Sequence, residues 1–154
     1  YARQSEAGEN SADVDADYSL LEGGLNFAKL GVAIGREVLG GDGSTAFATP
    51  LATLHAFQGW ADKFLGTPAA GIEDRYVKAT YPLPAGGRFT SVALHGFFHE
   101  FAADAGGADF GDELNLQLVA RTARMALTFK YADYRAASLF TDTEKLWLSV
   151  DYAF

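Results

Sequence analysis

The chain has 154 residues and a formal net charge of −8 at pH 7, and it contains no cysteine. The negative charge argues against nucleic-acid binding, which needs a basic surface, and the lack of cysteine excludes disulfides and Cys-based metal sites. No apolar run approaches the ~18 residues of a transmembrane helix, whereas an aromatic content of 14% favours β structure over a helical bundle.

Alternation of apolar and polar residues predicts β-strands along most of the chain. After a strand end at residues 1–4, the predicted strands cover residues 17–27, 30–39, 72–81, 88–101, 110–121, 125–132 and 146–154. The last strand places Leu146, Leu148, Val150, Tyr152 and Phe154 on one face. The other face is small or polar apart from Trp147. An apolar face that ends in two aromatic residues suits a strand in lipid, because aromatic girdles mark the boundary of outer-membrane barrels.

Residues 40–71 interrupt the strand pattern. Thr49 is placed as a helix N-cap with Pro50 as the first helical residue. Apolar residues then recur at helical spacing, namely Leu51, Leu54, Phe57, Ala61 and Phe64. This spacing predicts about four turns of amphipathic helix within a long loop, and Gly66 and Pro68 predict its end.

The predicted connections alternate between long and short. The longer ones are residues 5–15, 40–71, 102–109 and 134–143, and the shorter ones are 28–29, 82–87 and 122–124. Outer-membrane barrels combine short periplasmic turns with longer extracellular loops. A soluble β-sandwich, which is the alternative fold, has no reason to sort its connections in this way.

These patterns together predict an all-β fold, an antiparallel transmembrane β-barrel of the outer-membrane type. Because eight strands make the smallest bacterial barrel and the strand end at residues 1–4 is too short to span, residues 1–154 are interpreted as the C-terminal part of a single, larger barrel domain. Residues 40–71 would form a long, helix-bearing extracellular loop of that domain.

Several stretches resemble the alginate export family of outer-membrane porins. The resemblance is carried by EVLGGDG at 37–43 and TPLATLHAFQGWADKF at 49–64, with HEFAAD at 99–104, KYADY at 130–134 and the terminal YAF at 152–154. It implies a monomeric, many-stranded barrel in the bacterial outer membrane. It also implies that Tyr152 and Phe154 form a signal for the barrel-assembly machinery.

The predicted function is a channel or porin that passes small polar or anionic solutes across the outer membrane, with an exopolysaccharide such as alginate as one candidate. A passage for a polyanion needs basic residues in its lumen. The candidate pore cations are Lys78, Arg121 and Lys130, together with Arg36 and Arg75, whose facing stays open. Acidic residues accompany them, namely Glu22, Glu37, Asp74 and Asp151. The alternative is an outer-membrane structural or interaction protein whose extracellular loops bind a partner.

The predicted loop helix has three possible roles. Its large apolar residues, which are Leu54, Phe57, Trp60 and Phe64, could narrow the pore, bind an external partner, or cap the barrel rim for stability. No catalytic residue, cofactor or metal site is predicted, because no nucleotide fingerprint or nucleophile–base set is present. His95 and His99 share a strand face but would lie about 13 Å apart, which is too far for one ion.

Overall fold

The computed structural model describes residues 1–6, 8, 14–50 and 58–154. These residues form one sheet of eight antiparallel strands, and the strands are hydrogen-bonded in chain order from β1 to β8. The strands are β1 (Ala2–Ser5), β2 (Asp15–Phe27), β3 (Leu30–Leu39), β4 (Ile72–Leu83), β5 (Ser91–Ala102), β6 (Asp109–Arg121), β7 (Met125–Ala136) and β8 (Thr143–Tyr152). The all-β antiparallel architecture is therefore confirmed. The sheet is open within the described residues, and closure into a barrel stays a prediction.

Each strand alternates between two faces, and one of them exposes large apolar side chains, which is unusual for a soluble protein. In β6, Leu114, Leu116 and Leu118 are exposed, whereas Glu113 and Asn115 on the opposite face are fully buried. The strand pairing extends both faces across the sheet. We call the face that contains Leu116 the apolar face and the face that contains Glu113 the polar face. The row of paired residues through Leu116 on the apolar face includes Leu25, Val32, Ala79, Tyr131 and Leu146.

Charged residues border the apolar face at the end where the chain enters and leaves the long loop. Arg36 and Arg75 both pair with Glu73, at 2.6 and 2.5 Å. Arg135 pairs with Asp133 at 2.8 Å and with Glu144 at 3.0 Å. The apolar face therefore ends sharply at a line of ion pairs.

The buried apolar core lies at the loop end of the sheet, under residues of the long loop. Its buried members are Leu39, Ala61, Phe64, Ile72, Phe101, Ala103, Phe110, Ala132 and Tyr134. Position 71, at the end of the loop, requires glycine. A Cβ there would lie 2.8 Å from the side chain of Asp104, and the backbone has a φ of +71°. The core joins the loop to the sheet.

The predicted helix is wrong for the part of it that the structure describes. Residues 58–66 form bends with no helical turn, and the backbone is left-handed at Gln58 (φ +49°), Gly59 (+80°) and Asp62 (+60°). A right-handed helix cannot contain such residues. Residues 51–57, which include Leu54 and Phe57, lie outside the described residues.

Two other sequence predictions also need correction. Residues 134–136 belong to β7 and not to a loop, because Tyr134 pairs with Thr143 and extends the ladder. The alternation of connection lengths is weaker than predicted, since β4 and β5 are separated by residues 84–90, a longer connection than 103–108 or 137–142. The two-residue turn at Ala28 and Lys29 is confirmed, with Ala28 at a φ of +52°.

Within the described ranges, no helix is long and apolar enough to cross a membrane.

Candidate functional site

The long loop folds back so that residues 58–64 lie on the polar face of the sheet. We call residues 58–64 the crossing segment. It contacts side chains from β3 and from β5 to β8, and through them it reaches the acidic and basic groups of the polar face. The segment and the polar face beneath it form the candidate site.

Glu113 of β6 is the main polar anchor of the crossing segment. Its Oε1 accepts the backbone N–H of Trp60 at 2.5 Å and that of Ala61 at 2.8 Å, and the residue is fully buried. A carboxylate in this place therefore holds two backbone groups that the left-handed turn leaves without helical partners.

A second buried carboxylate holds the start of the segment. Glu37 of β3 is 8% exposed and accepts the Tyr18 hydroxyl at 2.7 Å and the Gln58 Nε2 at 2.8 Å. Beside it, the His99 ring lies 3.0 Å from both oxygens of Asp74, and both residues are buried. A cavity of about 220 Å³ opens next to these groups.

Phe64 anchors the other end of the segment by apolar packing. It is 5% exposed and its ring lies 4.6 Å from that of Phe101 and 6.0 Å from those of Phe110 and Tyr134. The Tyr134 hydroxyl lies within hydrogen-bond distance of two backbone oxygens, those of Phe110 and Leu139. Burial of a phenylalanine of this kind contributes on the order of 2–3 kcal/mol, so the end of the segment is firmly attached.

Three lysines lie on the polar face. Lys78 pairs with Glu22 at 2.6 Å, and Lys145 pairs with Asp62 of the segment at 2.7 Å. Lys130 Nζ sits 4.6 Å from the centre of the Trp60 ring, a cation–π contact. Among the residues that the structure describes, Lys130 is the lysine of the three with no carboxylate in ion-pair range.

The structure separates the five candidate pore cations. Lys78 and Lys130 lie on the polar face, where they pair with Phe97 and Gln117 of the neighbouring strands. Arg121 lies on the same face, at the C-terminal end of β6. Arg36 and Arg75, by contrast, lie on the apolar face within its charged border. The sequence alone could have assigned Arg36 to the apolar face, because it lies two positions after Ile34 in β3 and alternate residues of a strand share a face.

The other candidate residues are placed as follows. Trp60 and Phe64 turn towards the sheet, with Trp60 5.3 Å from the Phe97 ring. Tyr152 and Phe154 are exposed on the last strand and just beyond it, and their rings lie 5.6 Å apart. His95 contacts Thr80 while His99 contacts Asp74, so the two histidines have separate partners. No three His, Asp, Glu or Cys side chains within the described part of the chain are grouped to hold a metal ion.

Sequence reasoning missed Glu113, Asn115 and Gly59 as site residues. Glu113 and Asn115 lie on one face of β6, and Leu114, Leu116 and Leu118 lie on the other. From the sequence, polar side chains opposite a leucine face are expected to point into solvent. The partners of buried Glu113 lie in a segment more than fifty positions away in the chain. The one signal available was the glycine that precedes Trp60, in the middle of a predicted helix, where glycine is unfavourable.

No protein-family model matches the chain, and the comparisons with curated proteins and with solved structures likewise found no match.

Proposed function

We propose that the chain forms part of an outer-membrane β-barrel whose polar face lines a passage for small polar or anionic solutes. The observation that carries this proposal is an exposed apolar face opposite a face that buries carboxyl and amide side chains. Leu148 is 74% exposed and Ile34 62% exposed, whereas Glu113 and Asn115 are 0% exposed. Contiguous apolar surface of this extent is unfavourable in water and favourable in lipid.

The dimensions of the apolar face agree with this proposal. From Asp112 in the charged border to the turn that begins at Thr122, β6 spans ten residues, which is ~34 Å along the strand. For strands tilted by about 40°, that length corresponds to ~26 Å along the membrane normal, close to the ~25 Å apolar band of outer-membrane barrels. The exposed Tyr152 and Phe154 would then lie at the periplasmic boundary, where the barrel-assembly machinery could recognise them.

The placement of the crossing segment favours a channel over a partner-binding protein. Of the four large apolar residues predicted to meet a partner or the pore, the two that the structure describes, Trp60 and Phe64, both pack against the sheet. The charges of the polar face are mixed, because Lys78 and Lys145 are matched by carboxylates. Lys130 is the cation that we propose acts on an anionic solute, and alginate stays one candidate for that solute. The mechanism involves pore width and charge and no covalent step.

The test is to extract the full chain in detergent, compare its gel mobility before and after boiling, and measure conductance in planar bilayers. We expect a band that shifts on boiling and discrete conductance steps. A shifting band without conductance would contradict the channel and favour an anchored binding protein. A protein that stays soluble and monodisperse without detergent would contradict the membrane location altogether.

A further inference from the structure

Gly59 lies directly against the carboxyl group of Glu113, and no space for a side chain at position 59 is left between them. Gly59 is buried and has a φ of +80°, a conformation that side chains rarely adopt. A Cβ added there would lie 2.6 Å from Cδ of Glu113 and closer still to its Oε2. The carboxylate itself is fully buried and bonded to the next two backbone N–H groups. An alanine at position 59 would therefore strain the backbone and push against the Glu113 carboxyl group, which accepts both hydrogen bonds.

The remaining contacts of the crossing segment spread over the neighbouring strands. Trp60 packs on Phe97 of β5 and under the Lys130 ammonium of β7. Asp62 pairs with Lys145 of β8 at 2.7 Å. With the Gln58–Glu37 hydrogen bond to β3, the segment is attached to β3 and to β5 through β8 at both polar and apolar points. Glu113 is the attachment that fixes its backbone.

We propose that Gly59 and Glu113 form a clamp that holds the crossing segment as a fixed constriction, so that this pair sets the width of the passage. The inference rests on the proposed function, because it requires that the polar face lines a pore. It assigns a positioning role to two residues that contact no solute themselves. It also explains why a carboxylate is buried on the polar face, since a backbone turn with left-handed residues needs an acceptor for its N–H groups.

The first measurement follows the segment directly and does not depend on conductance. The 154-residue chain has no cysteine. A single cysteine introduced by Ala61→Cys, at a position only 2% exposed, therefore reports on release of the segment through its rate of labelling with a maleimide. Gly66→Ala is the matched control, because a Cβ at Gly66 in the same loop meets no atom within 4 Å. We expect Gly59→Ala to raise the labelling rate at least about tenfold over Gly66→Ala, which corresponds to ~1.4 kcal/mol. Equal labelling rates would overturn the clamp.

The second measurement is single-channel conductance of the same two variants without the cysteine. We expect Gly59→Ala to conduct more than the wild-type chain, and Gly66→Ala to conduct equally. Faster labelling with unchanged conductance would overturn the constriction, while a wild-type chain that never conducts would overturn the channel function itself. If Gly59→Ala does not reach the heat-modifiable state, Glu113→Ala replaces it. Glu113→Gln, which keeps one carbonyl oxygen for the two N–H groups, should then retain more of the wild-type behaviour.

Discussion

Arginine placed at Leu116 should destabilise the protein far more than arginine placed at Gln117. The two positions are adjacent in β6 and point to opposite faces. Leu116 pairs with Gly96 and Tyr131 on the apolar face, and Gln117 pairs with His95 and Lys130 on the polar face. The pair of variants therefore changes the face and keeps the chemistry and the position along the strand nearly constant.

The magnitude follows from the depth of Leu116. It lies four residues along β6 from Asp112 in the charged border, which is ~14 Å along the strand and ~10 Å in depth for a tilt of about 40°. This is near the middle of an apolar band about 25 Å tall, where arginine costs about 2–4 kcal/mol. At Gln117 the added charge meets Lys130 directly across the ladder, and such like-charge pairs cost less than about 1 kcal/mol.

The assay is reversible unfolding of the full chain in guanidinium with lipid vesicles present, followed by tryptophan fluorescence. Both variants are compared with the wild-type chain for the midpoint and the slope of the transition. Equal destabilisation by the two arginines would refute the assignment of faces. Destabilisation by Gln117→Arg alone would show that the polar face, and not the Leu116 face, meets lipid.

Two further predictions concern charge. In salt-gradient recordings, Lys130→Glu should shift the reversal potential towards cation selectivity more than Arg75→Glu does. The reason is that Lys130 lies on the polar face and Arg75 on the apolar face. Equal shifts would argue that the polar face does not line the pore. Backbone N–H groups of Thr45 and Ser44 hold the pKa of Asp42 below its ordinary value of 3.8. A lowered pKa means that ionised Asp42 stabilises the folded turn at pH values above 3.8, and this stabilisation is lost as the pH falls through the pKa of the folded state. The amide resonance of Thr45 should therefore titrate with a midpoint below 3.8. In Asp42→Asn it should not titrate. A midpoint at or above 3.8 would contradict these hydrogen bonds.

The strands could be predicted from the sequence because their information is local. Period-two alternation decides which residues share a face, so Leu114, Leu116 and Leu118 could be assigned together without any partner strand. The same rule decides the facing of Arg36, which shares parity with Ile34. Strand ends were less well determined, because Tyr134 continues β7 only through its pairing with Thr143.

What only the tertiary structure decided is the conformation of the crossing segment and the burial beneath it. Ala61 and Phe64 occur at helical spacing, yet the backbone at Gln58, Gly59 and Asp62 is left-handed. Periodicity could not reveal this, because the acceptor that replaces the helical hydrogen bonds is Glu113, a residue far away in the chain. A local pattern reports which side chains can share a surface, whereas the choice between helix and turn depended on which distant group satisfies the backbone N–H groups.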